Sequence, residues 1–411
     1  MDALRVDERR LWDSHLEMAK IGATANGGVG RISLTDLDRE SRDLFVAWCR
    51  DAGLTVRVDQ VGNIIARRAG VDESRSPIMT GSHLDTQPLG GRFDGSYGVL
   101  AGLEVVRTLN DAGVDTLAPI DIVNWTDEEG VRFGAGTIGS RVFSGRYRLD
   151  EALGKVDADG VTVGEALTRI GYAGDEPAGG YPVGAFFEVH IEQGPILEKA
   201  ALPVGVVLGA QGQRLFQVTV EGDEGHAGTL PMDQRRDALL GAARMIDAVN
   251  LVAFRYKPYP VITVGNIRVR PNSRNTISGQ TVFSIDSRYP DDDALAEIAV
   301  AMRDACEEIA LEAGLGLEFR EISARGTVAF DEGVIETIRG AAERLQIFNQ
   351  DIFSGAGHDA CNMADVAPTA MIFVPCEDGI SHNEKENARP QDLAAGCNVL
   401  LHAMLERAGT A

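Results

Sequence analysis

Histidines and carboxylates recur along this chain at spacings that suit metal chemistry. The series begins with Gly81-Ser82-His83-Leu84-Asp85-Thr86 and Asp94-Gly95, and it continues with Asp127-Glu128-Glu129, His190 and His382. Imidazole and carboxylate ligands together favour Zn²⁺, Mn²⁺ or Co²⁺ over Ca²⁺ or Mg²⁺. We therefore predict two zinc-like ions that share one carboxylate and are bound by His83, Asp94, Glu129, His190 and His382.

Glu128 stands beside the predicted ligand Glu129 and has no metal assigned to it. Two adjacent glutamates at the end of a strand can turn one side chain to a metal and the other to a water molecule. A hydrolase with two metals needs this division, because one carboxylate binds an ion and the other accepts a proton. Acidic runs are more often solvated loops, but this one follows an apolar stretch. We predict that Glu128 is the catalytic base.

Three of these segments follow short apolar stretches. Residues 77–82, 120–125 and 185–191 are predicted to be buried strands, and they lead to His83, to the acidic trio and to His190. Ligand sites in open α/β sheets gather at the carboxyl ends of the strands. A lone histidine is more often a hydrogen-bonded core residue, but three such strand ends favour a common site.

Two residues near the first ligands have predicted supporting roles. Asp85 lies two residues after His83, where an extended chain would place it behind the imidazole ring to fix the tautomer. Gly95 permits unusual backbone angles, which suits a carboxylate at Asp94 that must bridge two ions.

Further candidates lie in loops, where ordinary surface roles are the alternative. His226 lies in a glycine-rich loop, Asn275 in a hairpin connection and Arg288 at the end of a strand. Loop flexibility, turn chemistry and solvation would explain these residues equally well. Gly357 and His358 lie in a second glycine-rich turn, which we expect to line a pocket.

The pattern of elements predicts two domains. The 411-residue chain is longer than one hydrophobic core normally supports. Residues 211–326 have the order β-α-β-β-α-β, a ferredoxin-like α+β arrangement with its own core. We expect this insert to form a lid and dimerisation domain, and residues 1–210 with 327–411 to form the catalytic di-metal domain. The predicted fold class is α/β, with a mixed sheet that has helices on both faces.

Composition restricts the class of protein further. A net charge of −23 disfavours nucleic-acid binding, because phosphates would be repelled. It does not exclude an anionic substrate, because a local basic site can lie in an acidic protein. No apolar run is long enough to span a membrane, and the first ten residues lack a signal-peptide core. Five cysteines without CxxC spacing argue against disulfides and against a cysteine zinc site. We expect a cytoplasmic protein that binds neither nucleic acid nor membranes.

Seven motifs occur in an order that resembles a known enzyme family. They cover nearly the whole chain and read GSHLDT, DG at Asp94-Gly95, DEEG, VHIEQG, EGDEGHAG, GAGHDA and SHNE. This order is similar to that of the di-zinc amidohydrolases related to aminoacylase and acetylornithine deacetylase. More narrowly, it resembles the hydantoinase/carbamoylase branch, which contains N-carbamoyl-L-amino acid hydrolases, bacterial β-ureidopropionases and allantoate amidohydrolases. The His190–Gln193 and Asn275–Arg288 spacings also resemble that branch.

The resemblance implies how the metals are shared. Asp94 would bridge two divalent ions, one held by His83 and His190 and the other by Glu129 and His382. Zinc is the expected metal, with manganese, cobalt and nickel as alternatives that the family accepts.

The resemblance also implies roles around the substrate. His226 and Asn275 would come from the smaller domain and reach into the site of the partner in a homodimer. Arg288 would bind the substrate carboxylate, and Gln193 would touch the ureido group. His226 would in addition stabilise the oxyanion formed during the reaction.

The predicted activity is hydrolysis of the ureido C–N bond of an N-carbamoyl-L-amino acid or of N-carbamoyl-β-alanine. The products would be the amino acid, carbon dioxide and ammonia. An allantoate amidohydrolase with the same metals is the main alternative. An aminoacylase or peptidase of the same clan, or a metal-binding protein without turnover, is a weaker one. The intact Glu128 argues against the last of these.

Overall fold

The computed structural model describes residues 3–411, which divide into two compact units. One unit comprises the chain up to Gly209 together with Ala329–Ala411, and the other is Ala210–Val328. The second unit is therefore one continuous insert in the first. Its role as a lid and dimerisation domain remains a prediction. Among the helices of residues 3–411, none combines the length and the apolar composition that a membrane span requires.

Helices and strands occur along the whole of the described chain. The helices are α1 (Glu8–Met18), α2 (Asp36–Asp51), α3 (Ser96–Asp111), α4 (Ile138–Phe143), α5 (Leu149–Leu153), α6 (Val163–Ile170), α7 (Ile196–Ala200), α8 (Ala238–Ala253), α9 (Asp292–Ala313), α10 (Glu332–Arg344), α11 (Ala360–Met363) and α12 (Pro390–Ala408). The strands are β1 (Thr55–Val58), β2 (Ile64–Arg68), β3 (Ile78–His83), β4 (Ile120–Trp125), β5 (Ala185–Ile191), β6 (Val204–Ala210), β7 (Gly212–Glu221), β8 (Gly225–His226), β9 (Val261–Thr263), β10 (Ile267–Arg270), β11 (Thr276–Ile277), β12 (Gln280–Tyr289), β13 (Gly316–Arg325), β14 (Val328–Ala329), β15 (Asn349–Ser354) and β16 (Thr369–Val374).

The first unit is built on a mixed sheet with the strand order β1-β2-β4-β3-β5-β16-β6-β14, and β15 pairs with β6. The central strands β4, β3, β5 and β16 run parallel to one another, whereas β2 and β6 join them antiparallel. These four central strands are buried along their whole length, so their apolar residues are not confined to alternate positions. Parallel strands place their carboxyl ends at one edge, so the segments that follow them meet there.

The central strands lie almost where the sequence predicts them. β4 and β5 have the predicted bounds, and β3 begins and ends one residue later than predicted. β6 was not predicted, because Gly205 and Gly209 weaken the strand signal of an otherwise apolar run.

Two predicted elements of the insert were wrong in detail. The sequence pattern of residues 261–269 predicts a single strand, but β9 and β10 are separate strands, and the Gly265-Asn266 pair lies between them. The sequence pattern predicts a helix over residues 233–254, but α8 begins at Ala238, because the carboxylate of Asp237 accepts the first free amides of the helix.

The second unit contains an antiparallel sheet with the order β10-β12-β7-β13, and β9 also pairs with β12. Alternate residues of β12 are buried, among them Phe283 and Ile285. They pack against apolar residues of α8 and α9, such as Met245 and Met302. The chain order β7-α8-β9/β10-β12-α9-β13 is the predicted β-α-β-β-α-β order, with its second strand broken in two.

The chain leaves and re-enters the first unit at neighbouring points. β6 precedes the insert and β14 follows it, and these two strands are adjacent in the sheet. Close to both, the amide of Phe330 donates to the carbonyl of Leu208 at 3.0 Å.

His15 lies in α1, outside the predicted site, and is 1 % exposed. Its ring lies 5.3 Å from the ring of Phe93 and 5.9 Å from that of Tyr97. Within residues 3–411, neither ring nitrogen has a hydrogen-bond partner. Burial, with the charges of Arg31 and Arg92, lowers the pKa of His15 to about 3. The folded protein therefore keeps this ring neutral.

His15 should make the fold sensitive to acid. The unfolded chain takes up a proton at this position near pH 6.5, whereas the folded chain does so only near pH 3. The stability that depends on a neutral His15 is therefore fully present above pH 6.5, and it is lost as the pH falls towards 3. Between pH 7 and pH 5, His15 alone should lower the free energy of unfolding by about 2 kcal/mol. We expect the free energy of unfolding, measured with urea in EDTA, to fall between pH 7 and pH 5 in both proteins. The fall should be about 2 kcal/mol smaller for His15→Phe than for wild type. Equal losses would contradict this account.

Candidate metal centre

The segments that follow the parallel strands meet at one edge of the sheet. His83 is the last residue of β3, and the acidic trio begins two residues after the end of β4. His190 is the penultimate residue of β5. His382 lies in the loop between β16 and α12. The order of strands thus brings together residues that are up to three hundred positions apart.

A first group of ligand-type atoms consists of His83, Asp94 and His190, which are all buried. The Oδ1 atom of Asp94 lies 3.8 Å from Nε2 of His83 and 3.2 Å from Nε2 of His190. All three residues offer a ligand atom within 4.8 Å of the others.

A second group shares Asp94 but uses its other oxygen. Nε2 of His382 lies 3.3 Å from Oδ2 of Asp94 and 3.4 Å from Oε2 of Glu129. Ligands about 2.0–2.1 Å from a tetrahedral zinc ion are about 3.3 Å apart, so these separations fit a metal. The five predicted ligands therefore form two groups that share one carboxylate.

The tautomers of two histidines are set by the backbone. Nδ1 of His83 donates to the carbonyl of Asp85 at 2.9 Å, and Nδ1 of His190 donates to the carbonyl of Ile191 at 2.8 Å. A neutral ring with its proton on Nδ1 has a lone pair on Nε2, the atom that faces Asp94. In this neutral form each ring points an electron pair on Nε2 towards Oδ1 of Asp94.

Asp85 supports the site through different atoms than its sequence position suggests. The contact to the His83 ring comes from the Asp85 carbonyl, and its carboxylate lies 3.9 Å from that ring. The carboxylate instead accepts the amides of Glu128 at 3.3 Å and Glu129 at 3.2 Å. It therefore links the β3 loop to the β4 loop.

Gly95 leaves room for a ligand. Its φ of 64° lies in the left-handed region. A methyl group at this position would lie only 2.3 Å from Cε1 of His83, far inside van der Waals contact. The residue after Asp94 must therefore be glycine for steric as well as for backbone reasons.

Glu128 lies beside the first group. Its Oε2 atom is 3.5 Å from Nε2 of His83, and its side chain is 13 % exposed. Burial raises the pKa of Glu128 well above its ordinary value, and the charges of Asp359 and Glu129 add to the effect. A carboxylate in such surroundings accepts a proton more readily than one in water.

The electrostatics of the cluster favour positive charge. Burial lowers the pKa of His83 to about 4. Burial also acts on His190, but the hydrogen bond and charge of Asp94 raise its pKa to about 9. The same carboxylate raises the pKa of His382 to about 9. Burial and the charge of Asp94 raise the pKa of Glu129 to about 7. Divalent cations would supply the positive charge that protons supply in their absence.

Three predicted substrate residues lie in the first unit. Nε2 of Gln193 donates to Oδ2 of Asp94 at 3.0 Å and to Oγ of Ser381 at 3.1 Å. The buried ring of His358 lies 4.6 Å from the ring of His190, and its Nε2 is 2.9 Å from Oγ of Ser354. Gly357 is half-buried beside it. Gln193 and His358 therefore touch residues of the cluster.

Two other predicted residues lie together in the second unit. His226 pairs with Thr276 in the short β8–β11 ladder, and the amide of Ala227 donates to the carbonyl of Asn275 at 2.9 Å. The amide of Gly228 donates to Nδ1 of His226 at 3.1 Å. A neutral His226 ring therefore carries its proton on Nε2, as a hydrogen-bond donor would require.

Arg288 lies on β12 of the second unit. Its Nε and Nη2 atoms donate to the two carboxylate oxygens of Asp286, at 3.2 and 2.9 Å. Nε2 of Gln213 donates to the same carboxylate at 2.9 Å. The guanidinium plane is therefore oriented by a carboxylate that the sequence reasoning did not identify.

Sequence reasoning also missed Ser381 and Glu386, which contact Asp94. Oε1 of Glu386 accepts the amide of Asp94 at 3.1 Å, and Oγ of Ser381 lies 3.0 Å from its Oδ2. The SHNE motif offers a different acid, Glu384, which is half-buried and accepts a hydrogen bond from Asn26. The only sequence signal for Glu386 is its position four residues after His382.

Comparisons with known proteins identify the family of this chain. The family model of peptidase family M20/M25/M40 matches residues 79–406. An N-carbamoyl-L-amino-acid amidohydrolase of Rhizobium meliloti is 46% identical over 98% of this chain and 97% of its own. A ureidoglycolate hydrolase of Arabidopsis thaliana is 34% identical over 97% of this chain and 86% of its own.

A solved structure is also closely similar. It is an amidase of the hydantoinase/carbamoylase family from Burkholderia multivorans, with a TM-score of 0.96 and 54% identity. The similarity covers 99% of each chain.

Gly95→Ala should disrupt the first group of ligands. The added methyl group would displace the His83 ring, so we expect the purified variant to hold less divalent metal than wild type. Gly113→Ala is the matched control, because its φ of 62° is almost the same but no atom lies within 4 Å of the added methyl group. Metal content by mass spectrometry should fall in the first variant only. Equal contents in both variants would contradict the steric argument.

Proposed function

Because the chain belongs to peptidase family M20/M25/M40 and to its hydantoinase/carbamoylase branch, we propose that it hydrolyses N-carbamoyl-L-amino acids. The reaction would cleave the ureido C–N bond and release the amino acid, carbon dioxide and ammonia. The observation that carries the proposal is the pair of ligand groups that share Asp94, with Glu128 beside them. The 46% identity to an N-carbamoyl-L-amino-acid amidohydrolase supports this substrate class.

The donor set is suited to two divalent ions, for which zinc is our first choice. His83 and His190 would hold one ion, Glu129 and His382 the other, and Asp94 would help to hold both. When bound, such ions polarise a carbonyl group and lower the pKa of water towards about 7. The remaining steps belong to side chains of the protein.

Glu128 would take a proton from the attacking water and return it to the leaving nitrogen. Its raised pKa suits both steps, because the same group must first accept and then donate a proton. His226 would donate from Nε2 to the developing oxyanion, a contribution typically worth about 3–4 kcal/mol. Asp85 would hold the backbone of Glu128 in place through its carboxylate.

Arg288 would bind the carboxylate of the substrate. A guanidinium group can bind a carboxylate with two parallel hydrogen bonds, which fixes the position of the scissile bond as well as adding affinity. Asp286 supports this role, because it orients the guanidinium plane through two hydrogen bonds. Asn275, Gln193, Gly357 and His358 would line the same substrate site.

The homodimer implied by the resemblance is part of the same proposal. His226 and Asn275 would act in the site of the partner subunit. A protein that is monomeric by light scattering and still fully active would contradict this arrangement.

A substrate panel on metal-stripped and metal-reloaded protein tests the activity. We expect ammonia release from N-carbamoyl-L-methionine or N-carbamoyl-β-alanine to disappear with the metal and to return with Zn²⁺, Mn²⁺ or Co²⁺. Allantoate is included because the alternative activity uses the same ligands. A preference for allantoate would replace the proposed substrate class. Absence of metal-dependent turnover on every ureido acid would reject the enzymatic proposal.

Glu128→Gln separates the base from the ligands. The amide cannot accept the proton, so we expect kcat to fall by about 10²–10⁴-fold while metal content stays at the wild-type value. Glu129→Gln is the matched control. Because Glu129 is a proposed ligand, this variant should bind less metal than wild type. Near-normal turnover of the Glu128→Gln variant would exclude this residue as the base.

A further inference from the structure

Glu386 is a buried carboxylate with no role in the steps above. It is 1 % exposed and lies in the loop between β16 and α12, four residues after His382. Its Oε1 atom accepts two consecutive backbone amides, that of Phe93 at 2.9 Å and that of Asp94 at 3.1 Å. One carboxylate oxygen therefore holds the peptide groups on both sides of Phe93.

The other oxygen of Glu386 reaches the Asp94 side chain through a serine. Oγ of Ser381 lies 3.0 Å from Oε2 of Glu386 and 3.0 Å from Oδ2 of Asp94. The serine hydroxyl has one proton for these two acceptors, and Gln193 donates to it from the third side. It can therefore donate to only one carboxylate at a time.

The surroundings are shaped for this carboxylate. A methyl group on Gly91 would lie 1.9 Å from Cδ of Glu386 and 2.0 Å from its Oε1. No side chain fits at position 91 while Glu386 keeps its place. The glycine and the carboxylate therefore occupy the space together, and Gly91 lies only three residues before Asp94.

We propose that Glu386 is a positioning residue for the shared ligand Asp94. It fixes the backbone at Asp94 directly, and it offers Ser381 an alternative acceptor for its proton. The inference rests on the proposed function, because it assigns Asp94 to two ions.

The direction in which the Ser381 hydroxyl donates its proton should depend on whether an ion is bound. Oδ2 of Asp94 would be a weaker hydrogen-bond acceptor when Asp94 holds an ion, and the hydroxyl of Ser381 would then donate to Glu386. Without Glu386 the Ser381 hydroxyl would keep donating to Oδ2 of Asp94, and this hydrogen bond would compete with the ion for the same oxygen. The same loop also carries His382, so Glu386 joins two of the three segments that would hold the second ion, those of Asp94 and His382.

Metal affinity is the property to measure, by competition with a fluorescent chelator for Zn²⁺. Changes beside metal ligands typically weaken metal binding by 10–100-fold, and we expect a loss in this range for Glu386→Ala. Glu386→Gln keeps an oxygen for the two amides but places an NH₂ group opposite Ser381, which would send the serine proton back to Asp94. We expect this variant to lose less, below about tenfold.

Asp59→Ala is the matched control for buried carboxylates. Asp59 is also 1 % exposed and accepts two backbone amides, those of Val61 and Asn63, in the turn between β1 and β2. Thermal unfolding in EDTA should show a loss of stability for Asp59→Ala and Glu386→Ala alike. Only the Glu386 variants should also bind Zn²⁺ more weakly than wild type.

The outcomes separate this inference from the proposed function. Wild-type Zn²⁺ affinity in both Glu386 variants would overturn the positioning role, even if both were less stable. If Glu386→Ala does not fold, Glu386→Gln alone decides, and unchanged binding in that variant overturns the role. A wild-type protein that binds no Zn²⁺ would instead reject the proposed metal centre.

Discussion

The carboxylate of Asp94 is the constraint on which the site depends. Its two oxygens face two different histidine groups at 3.2–3.8 Å, inside a buried cluster that contains further acids. Such a cluster is costly to bury without positive charge. The loops around it are arranged accordingly, with Gly95 making room for an imidazole ring and Glu386 and Asp85 holding backbone amides. The parallel strands matter because they bring these loops to one edge.

The parts of the fold that could be predicted are those with a strong local signal. β4, β5 and β16 are apolar runs that must be buried, and their bounds follow from where the apolar residues stop. β6 and the break between β9 and β10 could not be predicted, because glycines blur the pattern there. The order of the strands in the sheet has no signal in a single sequence, since it depends on contacts between distant segments.

The candidate site shows the same division. Metal-type residues stand out by chemical type, since histidine and carboxylate in a loop after a buried strand have few structural uses. The residues that hold them do not stand out. Asp85 was placed correctly beside His83, but its carboxylate turns to the amides of Glu128 and Glu129. Glu386 acts through hydrogen bonds to the amides of Phe93 and Asp94, which only the folded chain brings near.

The neighbouring exit and re-entry points of the insert bear on how such a chain could have arisen. β6 and β14 are adjacent in the sheet, and Phe330 donates to Leu208 beside the junction. An ancestral loop between two such strands can lengthen into a folded module without threading the core, because both ends stay where they were. The proposed ligands from His83 to His190 precede the module and His382 follows it. Its gain, loss or exchange during evolution would leave every one of them on its original strand or loop.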